Sequence, residues 1–191
     1  MKNKIKFGLK NVYRANVVVD DDGNVMYDTP VRVPGAVTLT LNTNVVSTDI
    51  PADDLDAYAT LSKDNGYTGS IEFANLSDED RVEILGNSLD ENGVLIENED
   101  DRPNEQALLF EINGDAAKKR HVLYNVLMTK PAVNAKTGKE PQSDTLDLRA
   151  RPAVDTGNIK ASVPNDAEHK NVYDTWYEEV YVSTKTSSEA E

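Results

Sequence analysis

The chain has 191 residues, no cysteine, and 34 acidic against 20 basic side chains, for a formal charge of −14. That balance excludes attractive nucleic-acid binding over an extended surface, because phosphate contacts need a stripe of Lys and Arg. The missing cysteines exclude a disulfide scaffold.

Hydrophobic residues make up 38%, but only three Phe and one Trp are present. The core therefore rests on Val, Leu, Ile and eight Tyr, which suits a thin β-sandwich or a subunit that completes its packing against neighbours. The opening "MKNKIKFGLKNVY" has positive charge but no apolar stretch after it, so no signal peptide is expected. No run nears the ~18 apolar residues of a membrane helix. The expectation is one domain over residues 1–182, with a polar tail at 183–191, soluble and made in a cytoplasm.

In chain order, "VYRANVVV" (12–19) reads as a strand and "DDDGN" as its hairpin turn. "VMYDTPVRVPG" returns, with Pro30 and Pro34 limiting its pairing. In "AVTLTLNT", Val37, Leu39 and Leu41 alternate with Thr38 and Thr40, the pattern of a strand with one wet face. From Asn42 to Asn65 no steady period survives. A long irregular loop is expected there, ordered against a partner through Val45, Val46, Ile50, Leu55, Tyr58 and Leu61.

"NLSDEDRVEILG" then predicts one short helix over 77–85. Ser77 caps it, Asp80 completes a capping box, Gly86 ends it, and Val82 and Leu85 form the sheet-facing side. After an acidic, turn-rich stretch, "ALLFEING" and "RHVLYNVLMTK" form a hairpin, the second strand apolar enough to be buried on both faces. "TLDLRARP" alternates again. Val172, Trp176 and Val180 lie at i, i+4 and i+8, predicting a short C-terminal helix.

Motifs with chemistry are scarce. Ser88 to Glu99 places Asp90, Asn92, Gly93 and Glu99 in EF-hand spacing, but Ser88 stands where the first Asp belongs and Pro103 blocks the following helix. A β-turn at Asn92-Gly93 is the expected reading. His121 and His169 stand far apart and are read as structural or surface residues. No nucleophile motif or phosphate-cradling glycine loop occurs, so neither catalysis nor a cofactor or metal is expected. Lys118, Lys119 and Arg120 sit in a hairpin turn, serving solubility or a neighbour's acidic loop.

An ordered set of segments remains: "FGLKNVY", "PVRVPGAVTLTL", "NGYTGSIEFANLSDEDRVEILG", "DENGVLIENED", "ALLFEINGD", "KKRHVLYNVLMTKPAV", "DTLDLRARP" and "YDTWYEEVYV". From about Phe7 to Val182 the chain resembles the major tail protein, or tail tube protein, family of long non-contractile-tailed bacteriophages and their prophages. The resemblance implies a β-sandwich or barrel flanked by a short helix, and hexameric rings stacked into a tube in the virion tail. Through its channel DNA passes without specific binding. It implies tape measure, tail terminator and distal tail proteins as partners, no membrane, and a long loop, here 42–65, reaching an adjacent ring. Some members carry an extra C-terminal immunoglobulin-like domain, expected here to be missing or encoded elsewhere. Repulsion of phosphate by acids lining the channel gives the net charge a purpose. Glu111 and Asp147, on the wet faces of good strands, are the lumen-facing candidates. The alternative from another class is a soluble, non-enzymatic β-sandwich binding or adhesion module of a virion; a carbohydrate-active enzyme using two of the many acids is a remote third.

Overall fold

The computed structural model describes residues 8–20, 23–52, 55–133, 137 and 142–183, the side chains of 51, 52 and 55–57 excepted. β1 (Leu9–Val19) is followed by β2 (Val25–Tyr27), and after Pro30 interrupts the ladder β3 (Val31–Arg32) pairs with β1 again. β4 (Ala36–Ala52) and β5 (Leu55–Phe73) make one long hairpin. α1 (Asp78–Leu85) and a small hairpin of β6 (Ser88–Leu89) and β7 (Leu95–Ile96) come next. β8 (Gln106–Ile112), β9 (Arg120–Met128), β10 (Asp144–Arg151), β11 (Lys160–Val163) and α2 (Lys170–Thr175) follow.

The main sheet is antiparallel in the order β2-β1-β8-β9-β10-β5-β4. β11 lies beside the first half of β9, and β10 beside its second half. The fold is mainly β with two short helices. The predicted polar tail lies outside the described residues except for Ser183.

Period-2 alternation separates two cores. On β8, Leu108 and Phe110 join one core while Ala107 and Leu109 join the other. On β9, Leu123, Val126 and Met128 face the first and Val122 and Tyr124 the second, so the expected burial of both faces is found. The first core gathers Val12 and Val33 with Ile71, Phe73, Leu146 and Leu148, and Leu39 of β4 packs against it. The second is covered by Tyr173, Trp176 and Val180, with Trp176 Nε1–H donating to the His121 carbonyl at 3.4 Å. α2 is shorter than its sequence stripe, so Trp176 and Val180 reach this core from the segment after the helix.

α1 is capped as predicted. Ser77 Oγ accepts from the Asp80 N–H at 3.1 Å, and Gly86, at φ 75°, returns its N–H to the Val82 carbonyl. A Cβ at Gly86 would lie 2.2 Å from the Arg102 carbonyl oxygen, so the position demands glycine for space as well as conformation. The buried face differs from the expectation: Ile84 and Leu85 enter the core, while Val82 is half-buried. Asp80 is the cause. It is buried against Arg14 of β1 (Nε to Oδ1, 3.1 Å), and residues i and i+4 share one helix face, so Ile84 turns inward with it. Arg14 stands in phase with Val12 on β1. A cation at a core-parity strand position was the available signal for this pair.

Candidate interaction surfaces

Residues 42–65 are not an irregular loop. They are the outer part of the β4–β5 hairpin, paired from Val45–Asp64 to Ile50–Ala59 and again at Ala52–Leu55. β10 pairs β5 only over Tyr67–Phe73, so beyond Gly66 the two strands have only each other among the described residues. Ten residues of β4, from Thr43 to Ala52, carry this arm roughly 30 Å past the sheet at the usual rise.

The sequence pattern hid the arm for two reasons. Register shifts between Thr43 and Val45, and between Ile50 and Ala52, break the phase. Neither face is buried, so nothing enforces a clean alternation. Register and period 2 put Ser47, Asp49, Thr60 and Ser62 on one face, where Thr60 Oγ1 donates to Asp49 Oδ1 at 2.7 Å. The opposite face carries Val46, Ile50, Ala59 and Leu61 with Thr48 and Lys63. The predicted contact residues Val45, Val46, Ile50 and Tyr58 all lie in the arm, 41 to 63% exposed. Leu55 opens β5, its side chain outside the described residues. A two-stranded ribbon is marginal alone in water, and an exposed apolar surface on a long unpaired edge is a template for association. β4 is an outermost strand of the sheet, with no partner along its outer edge among the described residues.

A second open surface is the face of β10, β5 and β4 opposite the first core. The register aligns three rows across these strands: Thr145, Glu72 and Thr38; Asp147, Ser70 and Thr40; Arg149, Thr68 and Asn42. No described element covers them. Six of the nine are hydroxyl or amide residues, and the charges are two acids and one Arg, a net charge of −1.

Asp147 is exposed in the middle of that face. Glu111 is not on a wet face, and that expectation is corrected. It is 3% exposed, with Lys10 Nζ at 2.9 Å, Arg120 Nε at 3.1 Å and the Tyr177 hydroxyl donating at 3.0 Å. Alternation put it opposite Leu108 and Phe110, and the C-terminal segment returns over that side of β8. Burial alone would push its carboxyl up; the donors Lys10, Tyr177 and Asn11 outweigh it and hold the group below the usual carboxylate range. The same burial, then the Glu111 charge, pushes the Tyr177 hydroxyl up.

Arg120 leaves the basic turn for this cluster. Its guanidinium lies 3.9 Å from the Tyr173 ring centre and 4.6 Å from that of Tyr177, and it donates to the Tyr173 carbonyl.

The EF-hand-like stretch is a turn, as expected. Asp90 Oδ1 accepts from the Val94 and Asn92 N–H groups, both at 2.8 Å, and Gly93 adopts φ 78°. The Val94 N–H foremost holds the Asp90 carboxyl below its ordinary range. His121 stacks on Phe110 at 5.1 Å between ring centres, and His169 pairs with Asp166 at the surface. Among the described residues no group of three or more His, Asp or Glu is placed to hold a metal ion, and no helix is long and apolar enough to cross a membrane. Compared with models of known protein families and with curated proteins, the chain matches none.

Proposed function

We propose that this chain is a structural subunit of a phage tail tube: copies close into rings, six to a ring as the sequence resemblance implies, and the rings stack around a channel for DNA. The observation that carries the reading is the β4–β5 arm, a ribbon with one partner strand and five large apolar side chains in solvent. Covering the exposed halves of Val45, Val46, Ile50, Tyr58 and Leu61 stabilises an assembly by roughly 1 kcal/mol per residue. That is a useful contribution, yet too small to offset the entropy of association without further contacts. The open edge of β4 supplies them as strand pairing. An edge that meets a different surface of the next copy makes a head-to-tail joint, the kind that closes into rings. The tape measure, tail terminator and distal tail proteins are its neighbours in this reading, and it assigns the chain no catalysis.

If the open face of β10, β5 and β4 turns inward, DNA meets hydroxyl and amide groups with Glu72 and Asp147 among them. Phosphate then meets two repelling acids and neutral hydroxyl and amide groups along the rows, and the long basic stripe that would grip it is missing from them.

The test is negative-stain electron microscopy of the purified chain over a rising concentration series. Rings or tubes are expected. A chain that stays monomeric at every concentration, with or without the other tail proteins, refutes the reading and favours a solitary binding module.

A further inference from the structure

At the root of the arm, on the same side as the open sheet face, lies a notch of about 420 Å³ whose lining includes Lys63, Arg149, Arg151, Glu105, Asn125 and Val154. Three cations converge there in a chain of net charge −14. Glu105 is already committed: its carboxylate accepts from Asn125 Nδ2 at 2.8 Å and from Arg151. Lys63 and Arg149 have neither an ion pair nor a side-chain hydrogen bond among the described residues. Asn125 is 3% exposed, and its Oδ1 has no hydrogen-bond partner; neither does the buried Nε of Arg151. A buried polar group without a partner costs about 1–3 kcal/mol. The exposed Lys63 and Arg149 thus leave the notch open to a ligand that brings carboxylates.

The β6–β7 hairpin and the turn that follows it offer that chemistry. Glu91, Glu99 and Asp100 are exposed, and their carboxylates have no partner among the described residues. Asp90, by contrast, is consumed by its own turn. Beside the acids Leu89, Val94 and Ile96 are exposed, matching the exposed Val154 at the notch rim. No residue of the β6–β7 hairpin lines the notch of its own copy.

We propose that the notch receives the acidic β6–β7 hairpin of a second copy of this chain. The pairing joins two different patches, so it propagates head to tail and closes into a ring or continues as a stack. It rests on the self-assembly part of the function proposed above. Duplex DNA is a poorer fit. It presents a charge about every 1.7 Å along its axis and needs a long basic stripe, whereas here two uncommitted cations stand in an acidic molecule.

The chain has no cysteine, so single thiols report the contact cleanly. Val154→Cys and Asn92→Cys chains, tagged to differ in mass, are mixed and oxidised. A disulfide-linked heterodimer is expected, in excess of either homodimer. Lys63→Glu/Arg149→Glu in the Val154→Cys chain is expected to cut its yield at least tenfold, and Glu91→Lys/Glu99→Lys in the other chain to restore it. All variants are first matched to the parent by circular dichroism and Trp176 emission. No heterodimer, or a yield indifferent to charge reversal, overturns the inference. So does salt-dependent binding of a DNA duplex that the notch reversal abolishes while cross-linking is absent. Tubes that form without the cross-link sink the inference and leave the tail tube reading standing; charge-dependent cross-links in a chain that never forms rings do the opposite.

Discussion

Removing the Arg14 side chain isolates a buried charge, and the structure fixes how large the effect should be. Arg14 and Asp80 side chains are 8% and 10% exposed, with Nε to Oδ1 at 3.1 Å. Asp80 also accepts from the Ser77 hydroxyl at 2.8 Å, and the more exposed Glu83 lies 3.7 Å from Arg14 Nη1. Arg14→Met keeps most of the stem and deletes the cation, leaving Asp80 charged, buried and compensated only by Ser77. Breaking a buried pair from one side costs about 3–5 kcal/mol, a large part of the roughly 5–15 kcal/mol that holds a domain together. The melting temperature should fall by roughly 6–20 °C at this chain length. Arg14→Met/Asp80→Leu removes both charges, and since replacing a whole buried pair by apolar groups is often near neutral, it should recover most of the loss. Urea unfolding followed by Trp176 emission and far-ultraviolet circular dichroism measures all three; Trp176 is the chain's one Trp and is buried. Arg14→Met within about 1 kcal/mol of the parent, or a double variant no better than the single, would refute the claim that this pair docks α1.

Leu85→Asp should abolish soluble folded protein, because Leu85 is buried in the first core, whereas Val82→Asp, at a half-buried site, should fold; expression and circular dichroism compare them. Val46→Ser/Ile50→Ser/Leu61→Ser should leave the monomer's melting temperature within about 2 °C of the parent but suppress rings and tubes in micrographs, since these half-exposed side chains belong to neither core. Glu111 has a folded-state pKa below its ordinary value, so it stabilises the fold above the ordinary carboxylate range, and that contribution fades as pH falls through the folded value. Melting temperatures of the parent and Glu111→Gln should therefore differ most near neutrality and converge on acidification; parallel curves would count against the buried cluster.

Much of the architecture is written locally. The Ser77 and Gly86 caps, the alternation in β10 and the unbroken apolarity of β9 each follow from neighbours a few residues apart, and the helix and strands appear where those signals stand. The chain's acidity and its want of aromatic bulk are likewise properties of composition, independent of fold. What sequence could not settle is which polar residue ends up dry. Glu111 has the parity of a solvent-facing residue, yet a segment more than 60 residues later covers it, and Arg14 sits at a core parity only because α1 brings Asp80 to meet it. The arm is the reverse case: with no third strand or core to impose alternation, its sequence carries no period, and only pairing across the hairpin makes it regular. The notch beneath it draws on β5, β9 and β10 at once. Side chains so distant in sequence converge through sheet register alone, which is a property of the tertiary structure.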